Sequence, residues 1–179
     1  HHGLAEPPGQ LEGRLADGTA VPLPGLINRG LGLRQNHPGK GWFVLPADAT
    51  VTVPRGVLTI EGFAGIETEL ARTTVDATAR PTAEVNLPLT PFSSVASRGW
   101  YAGNTHLHLQ KLTREQADAY LRTVPRSDGL DLVFVSHLER LNDDRLYISN
   151  DYTLADLERL GGRDLLFGNG EEHRHNFGG

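Results

Sequence analysis

The chain has 179 residues, is 38% hydrophobic and 22% charged, and carries a formal net charge of -5 at pH 7. That length suits one large domain or two small ones, at roughly 100–200 residues each, and the composition is that of a folding chain rather than a disordered one. The mild negative charge argues against nucleic acid or an anionic membrane as partner, and the lack of Cys excludes disulfides, thiol nucleophiles and thiolate metal sites, leaving His and carboxylate as metal donors.

His1-His2 opens the chain, no Met occurs and no leader pattern follows, so the sequence reads as starting at a tag remnant or inside a longer protein; neither histidine enters the site argument. No apolar run approaches the ~20 residues that span a bilayer. Residues 9–95 then read as a β-sandwich domain. Short apolar or alternating runs at Leu11–Leu15, Trp42–Leu45, Thr50–Val53, Val57–Glu61, Glu67–Arg72 and Ala83–Leu89 are separated by Asp17-Gly18, Pro38-Gly39, Pro54-Arg55-Gly56 and Pro81. Several short strands at close spacing with turn residues between them predict an antiparallel sandwich or small barrel. His37, in Asn36-His37-Pro38-Gly39, reads as a turn residue.

The grammar changes near Ser97-Arg98-Gly99, and a second domain is expected over 99–179. Asn104–Leu109 reads as a strand. Thr113–Val124 reads as a helix with Thr113 as N-cap and Gln116 completing a capping box. Asp131–Ser136 is a short, β-branched, buried strand; Thr153–Leu160 is a second helix stopped by Gly161-Gly162; Asp164–Gly168 is a third strand. The order βαβαβ predicts parallel strands with helical crossovers, and such folds bind ligands beyond the carboxyl ends of their strands.

Those strand ends carry the candidate chemistry. His106 and His108 sit at i and i+2 of a strand, so both imidazoles face one way and can grip one metal, with Leu107 turned to the opposite layer. His137 follows the most hydrophobic strand of this half, as ligand or acid/base. Glu171, Glu172, His173 and His175 form the densest group of donors, with Glu172 preferred as ligand over Glu171; Arg174 is a candidate to hold an anionic substrate group. Asp143, Asp144 and Asp151 lie in a polar connection above the strand ends. There is no G-x-S-x-G elbow and no Gly-rich loop ending in G-K-[ST].

The run Gly99-Trp100-Tyr101-Ala102-Gly103-Asn104-Thr105-His106-Leu107-His108-Leu109 resembles the opening strand of the PHP (polymerase and histidinol phosphatase) superfamily, closest to the branch of carbaryl-hydrolase-like CehA/McbA proteins. Asp131–His137 is similar to that superfamily's second motif, with Ser136 where Asp is usual, and Gly170-Glu171-Glu172 is similar to its Gly-Glu-Glu motif. The resemblance implies the first βαβαβ portion of a distorted (β/α)7 barrel. It implies two or three divalent transition metal ions (Zn, Mn or Fe) that activate water against a phosphoester or an amide or carbamate. His106 and His108 would bind one ion, Glu172 would bridge, His137 would serve a second ion or the proton transfers, and Arg174 would meet the substrate. The superfamily's later His and Asp ligands would lie beyond Gly179, leaving a barrel edge open to self-association. Gly13–Val21 and Val53–Leu58 resemble the carboxypeptidase-regulatory-like β-sandwich, which implies an exported protein. The alternative expectation is a non-catalytic binding or surface protein with an incomplete metal site.

Overall fold

The computed structural model describes residues 8–46, 48–79, 82–139 and 141–172. The chain divides into two compact units between Trp100 and Tyr101, with Arg126–Gly129 grouped with the first.

The first unit holds β1 (Gly9–Leu15), β2 (Ala20–Val21), β3 (Ile27–Asn28), β4 (Phe43–Leu45), β5 (Val57–Phe63) and β6 (Ala71–Asp76). They form one antiparallel sheet in the order β3-β4-β1-β5-β6, with β2 also on β1. Registers align Leu11 with Phe43, Gly13 with Val21 and Ile60, and Leu15 with Leu58, so one face is apolar. Leu11, Val21, Leu23, Phe43 and Leu58 form its buried cluster, and Leu26, Val51, Val53 and Ala77 pack against it. On the other face Glu12 lies directly opposite Glu61. Like charges so placed repel. Arg14 relieves one, with Nη2 3.0 Å from Glu12 Oε2, and Arg72 relieves the other, with Nε 2.6 Å from Glu61 Oε1.

Three expected strands come out differently, and proline explains much of it. Val51 and Val53 do alternate against the core, but Thr50–Val53, set before Pro54, joins no ladder. Ala83–Leu89 joins no ladder, with Leu87 and Leu89 packed near Gly62 and Gly9, and Pro88 lacks the N–H a ladder needs. Residues 67–69 instead meet the 90–92 segment, through Glu69 N–H to the Thr90 carbonyl and a Thr68–Pro91 bridge, and the β6 ladder starts at Ala71. The described residues of this unit therefore contain one hydrogen-bonded sheet, not the two of a sandwich. His37 is a turn residue as read, its Nδ1 accepting from Gly39 N–H at 3.1 Å.

The second unit is the expected alternation: β7 (Gly103–Leu107), α1 (Arg114–Ser127), β8 (Leu132–His137), α2 (Leu154–Leu160) and β9 (Leu166–Glu171). The strands form a sheet in the order β7-β8-β9, both pairs parallel. Thr113 caps α1 reciprocally with Gln116: Thr113 N–H donates to Gln116 Oε1 at 2.9 Å and Gln116 N–H to Thr113 Oγ1 at 3.2 Å. The α1 residues Ala117, Tyr120, Leu121 and Val124 are buried, the i, i+3, i+4, i+7 spacing of one helical face. The helix runs three residues past Val124, through Pro125, and a left-handed Gly129 ends the turn at φ 71. Thr153 caps α2 in a box with Asp156. Hydrogen bonds from the Thr153 hydroxyl and N–H, then from Arg114, hold the Asp156 carboxyl well below the usual carboxylate range. Arg114 stacks 3.8 Å from the centroid of Tyr152, whose hydroxyl donates to Asp118 at 2.6 Å. Burial, then that hydrogen bond, pushes the Tyr152 hydroxyl up from its ordinary value.

One tight approach in the first unit is directly testable. A Cβ on Gly30 would sit 2.7 Å from backbone atoms of Gly39 and Lys40. Gly30→Ala is expected to lower stability by about 1–3 kcal/mol, the range for forced overpacking. Urea unfolding checks this, and an unchanged midpoint would show that the turn yields freely.

Candidate metal centre

The site is built by an irregularity in β7. Asn104 pairs with Val133 and Leu107 with Val135, so β7 spends one residue more than β8 over the same rung. The Asn104 side chain pins this bulge by accepting from His106 N–H at 2.9 Å. Past the bulge Leu107 shares a face with Val135, and its neighbours His106 and His108 turn to the opposite face. On β9, Ser136 pairs with Gly170 and His137 with Glu171. Alternation then places Glu172 on the face of Ser136 and Glu171 on the face of Val135. Glu172 continues the ladder by donating its N–H to the His137 carbonyl at 3.3 Å.

His106, His108 and Glu172 consequently meet, with one donor atom from each lying within 4.8 Å of the others. His108 Nε2 is 2.9 Å and His106 Nε2 3.4 Å from the same oxygen, Oε2 of Glu172. The rings stand edge to face, centroids 4.6 Å apart. The His108 and Glu172 side chains are 14% and 19% exposed and that of His106 53%, so the group has a protected floor and an open side. Donors about 2.0–2.2 Å from one ion, at tetrahedral or octahedral angles, stand roughly 3.0–3.5 Å apart, and the two histidine nitrogens lie at 3.4 and 2.9 Å from the carboxylate oxygen, close to that spacing. Two imidazoles and a carboxylate converging in this way are a donor set that could hold a metal ion.

The other sequence candidates are placed elsewhere. His137 is exposed at the end of β8, its Nε2 3.4 Å from Glu139 Oε2, and it does not join the three. Glu171 is exposed and likewise outside the group. Asp144 accepts from Leu141 N–H at 2.7 Å, and the Asp151 carbonyl accepts from Arg114, both serving the connection itself. His173, Arg174 and His175 lie outside the described residues.

Residues that sequence reasoning passed over support the group. Phe134 lies across Gly168 and Gly170, where Cβ atoms would come within 2.8 Å and 3.3 Å of it. Tyr147 sets its ring 5.2 Å from that of His108 and is held by a bridge to Gln110. The apolar triplet Leu146-Tyr147-Ile148 inside a polar connection was the available signal. Asn150 clamps the same connection, accepting from Leu138 N–H at 2.8 Å and donating to the Leu138 and Asp144 carbonyls at 2.6 and 2.9 Å.

Set against protein-family models, curated proteins and solved structures, the chain matches none of them.

Gly170 tests whether strand packing sets the position of Glu172. Its Cβ would stand 2.9 Å from Ser136 Oγ. Gly170→Ala is expected to displace the end of β9 and weaken zinc binding by about 10-fold or more, comparable to losing an outer-shell support. Competition against a chromophoric chelator reads the affinity; parent-like binding would mean that Glu172 is positioned independently of this packing.

Proposed function

We propose that the chain carries part of the centre of a metal-dependent hydrolase of the PHP kind, near its carbaryl-hydrolase-like branch, acting on a phosphoester or on an amide or carbamate. The observation that carries this reading is the convergence of His106, His108 and Glu172 at the carboxyl end of a parallel sheet. A set of two His and one Glu fills three positions and leaves one or more open, the arrangement of catalytic rather than structural sites. A divalent ion held there would lower the pKa of a coordinated water toward ~7 and so supply a nucleophile at neutral pH.

The residues of the chain contribute the rest. His106 and His108 would hold the ion from the carboxyl end of β7, and Glu172 would close the set from just past the end of β9. Leu107, between the two imidazoles, pairs with Val135 of β8. Further ions, in the two- or three-ion pattern implied by the resemblance, would recruit donors other than these three. His137 and Glu171 are proposed for that role or for proton transfer, and Arg174 for an anionic substrate group. An exported location is proposed from the resemblance of the first unit. No helix among the described residues is long and apolar enough to cross a membrane.

The placement of His137 beside Glu139, apart from the three donors, favours a second reading: a protein that binds one ion and does not hydrolyse.

Elemental analysis of tag-free protein separates these readings. Parent and Glu171→Gln are expected to retain zinc or manganese after dialysis, Glu172→Gln to retain less, and a His106→Ala/His108→Ala double variant none. Metal-loaded protein is then offered an aryl phosphate and an aryl carbamate. Turnover that the double variant lacks supports the hydrolase; retention without turnover supports the binding protein. A parent that takes up neither metal sinks both.

A further inference from the structure

Among the described residues, the buried side-chain polar atoms without a hydrogen-bond partner are Nδ1 of His108 and Oγ of Ser149. They belong to segments that run side by side. Ser149 N–H donates to the Leu109 carbonyl at 3.4 Å, and Gln110 and Tyr147 form an antiparallel bridge. Tyr147, two residues before Ser149, is the one whose ring packs against His108. Ser149 is only 3% exposed, although it sits in a polar connection.

The chemistry of the two atoms is complementary. A hydroxyl can donate and accept, so it satisfies an imidazole nitrogen whichever way the proton lies. Buried polar atoms that lack a protein partner are typically bridged by ordered water, which needs two or more polar neighbours. An imidazole that ligates a metal through one nitrogen almost always has its other nitrogen held by a hydrogen bond, which fixes ring orientation. Nε2 of His108 is directed at Glu172, so Nδ1 is the atom that needs such a partner.

We propose that Ser149 is the positioning residue of His108, its hydroxyl joined to Nδ1 through one buried water, so that Nε2 stays aimed at Glu172. The effect on metal affinity rests on the metal-binding reading above; the hydrogen bond does not.

The test uses the full chain with 15N-labelled histidine, in parent, Ser149→Ala and Ser149→Cys, with His108→Gln to assign the ring signals. Long-range 1H–15N spectra of metal-free protein report both nitrogens of each imidazole. Ser149→Ala is expected to shift the Nδ1 signal of His108 while leaving those of His37 and His137 in place. Added zinc is expected to bind the variant about 10-fold more weakly than the parent. Ser149→Cys keeps the volume and loses most of the hydrogen bonding, and gives the same reading should the alanine variant fail to fold. A His108 ring spectrum unchanged in both variants overturns the proposal, even where zinc affinity falls. A parent that takes up no zinc, yet whose His108 signal responds to Ser149→Ala, retains this hydrogen bond and removes the metal reading alone.

Discussion

The extra residue in β7 between Asn104 and Leu107 governs which face of the sheet the two histidine donors of the site point to. Strand side chains alternate, so a one-residue change of register exchanges the two faces completely. With regular pairing from Asn104 onward, His106 and His108 would share the face of Val133 and Val135. They would then lie across the sheet from Glu172 and beside Glu171. The bulge puts them with Glu172 instead. The side chain of Asn104 maintains it through the hydrogen bond to His106 N–H, so the residue that makes the irregularity sits two positions before the first donor it directs. Bulges next to functional sites commonly re-aim a side chain in this way.

Around that irregularity the second unit is cross-braced by packing and hydrogen bonds. Phe134 lays its ring against Gly168, where an added Cβ would stand 2.8 Å from it, and at Gly170 an added Cβ would meet Ser136 Oγ at 2.9 Å. Asn150 ties to the start and the middle of the connection that follows β8, at Leu138 and Asp144, and Tyr152 fastens its far end between Arg114 and Asp118. Tyr147 rides on this fastened segment, so the wall it offers to His108 is set by hydrogen bonds made elsewhere. Sites placed on sheet ends and backed by packed side chains hold their geometry better than sites on free loops.

The second unit was largely legible in its residues because its signals are local. Thr113 with Gln116 and Thr153 at the start of α2 fixed helix starts, and the run Leu132–Val135 announced a buried strand. His106 and His108 were legible as a pair because i and i+2 on a strand share a face. The side of the sheet they face, and hence the spatial choice of Glu172 over Glu171, depends on a pairing irregularity between strands distant in sequence, which no local pattern encodes. The first unit was less legible for a related reason. Alternation at Val51 and Val53 reports burial of one face, and burial does not require a ladder partner. Pro88 made the same point for the 83–89 segment, whose Leu87 and Leu89 pack near Gly62 and Gly9 although the segment joins no ladder.

The arrangement at Glu172 also carries a consequence for proton placement. If both imidazoles donate Nε2–H to the one carboxylate oxygen, their Nδ1 atoms are bare acceptors. If Nε2 instead offers its lone pair to an ion, the neutral ring must carry its proton on Nδ1. For His106, with its ring half open to solvent, water can accommodate either form. For His108 the Nδ1 is buried, and an unsatisfied buried donor costs about 1–3 kcal/mol, enough to change affinity by roughly an order of magnitude or more. The identity of whatever sits beside that one nitrogen therefore influences whether the triad behaves as a hydrogen-bonded cluster or as a metal centre.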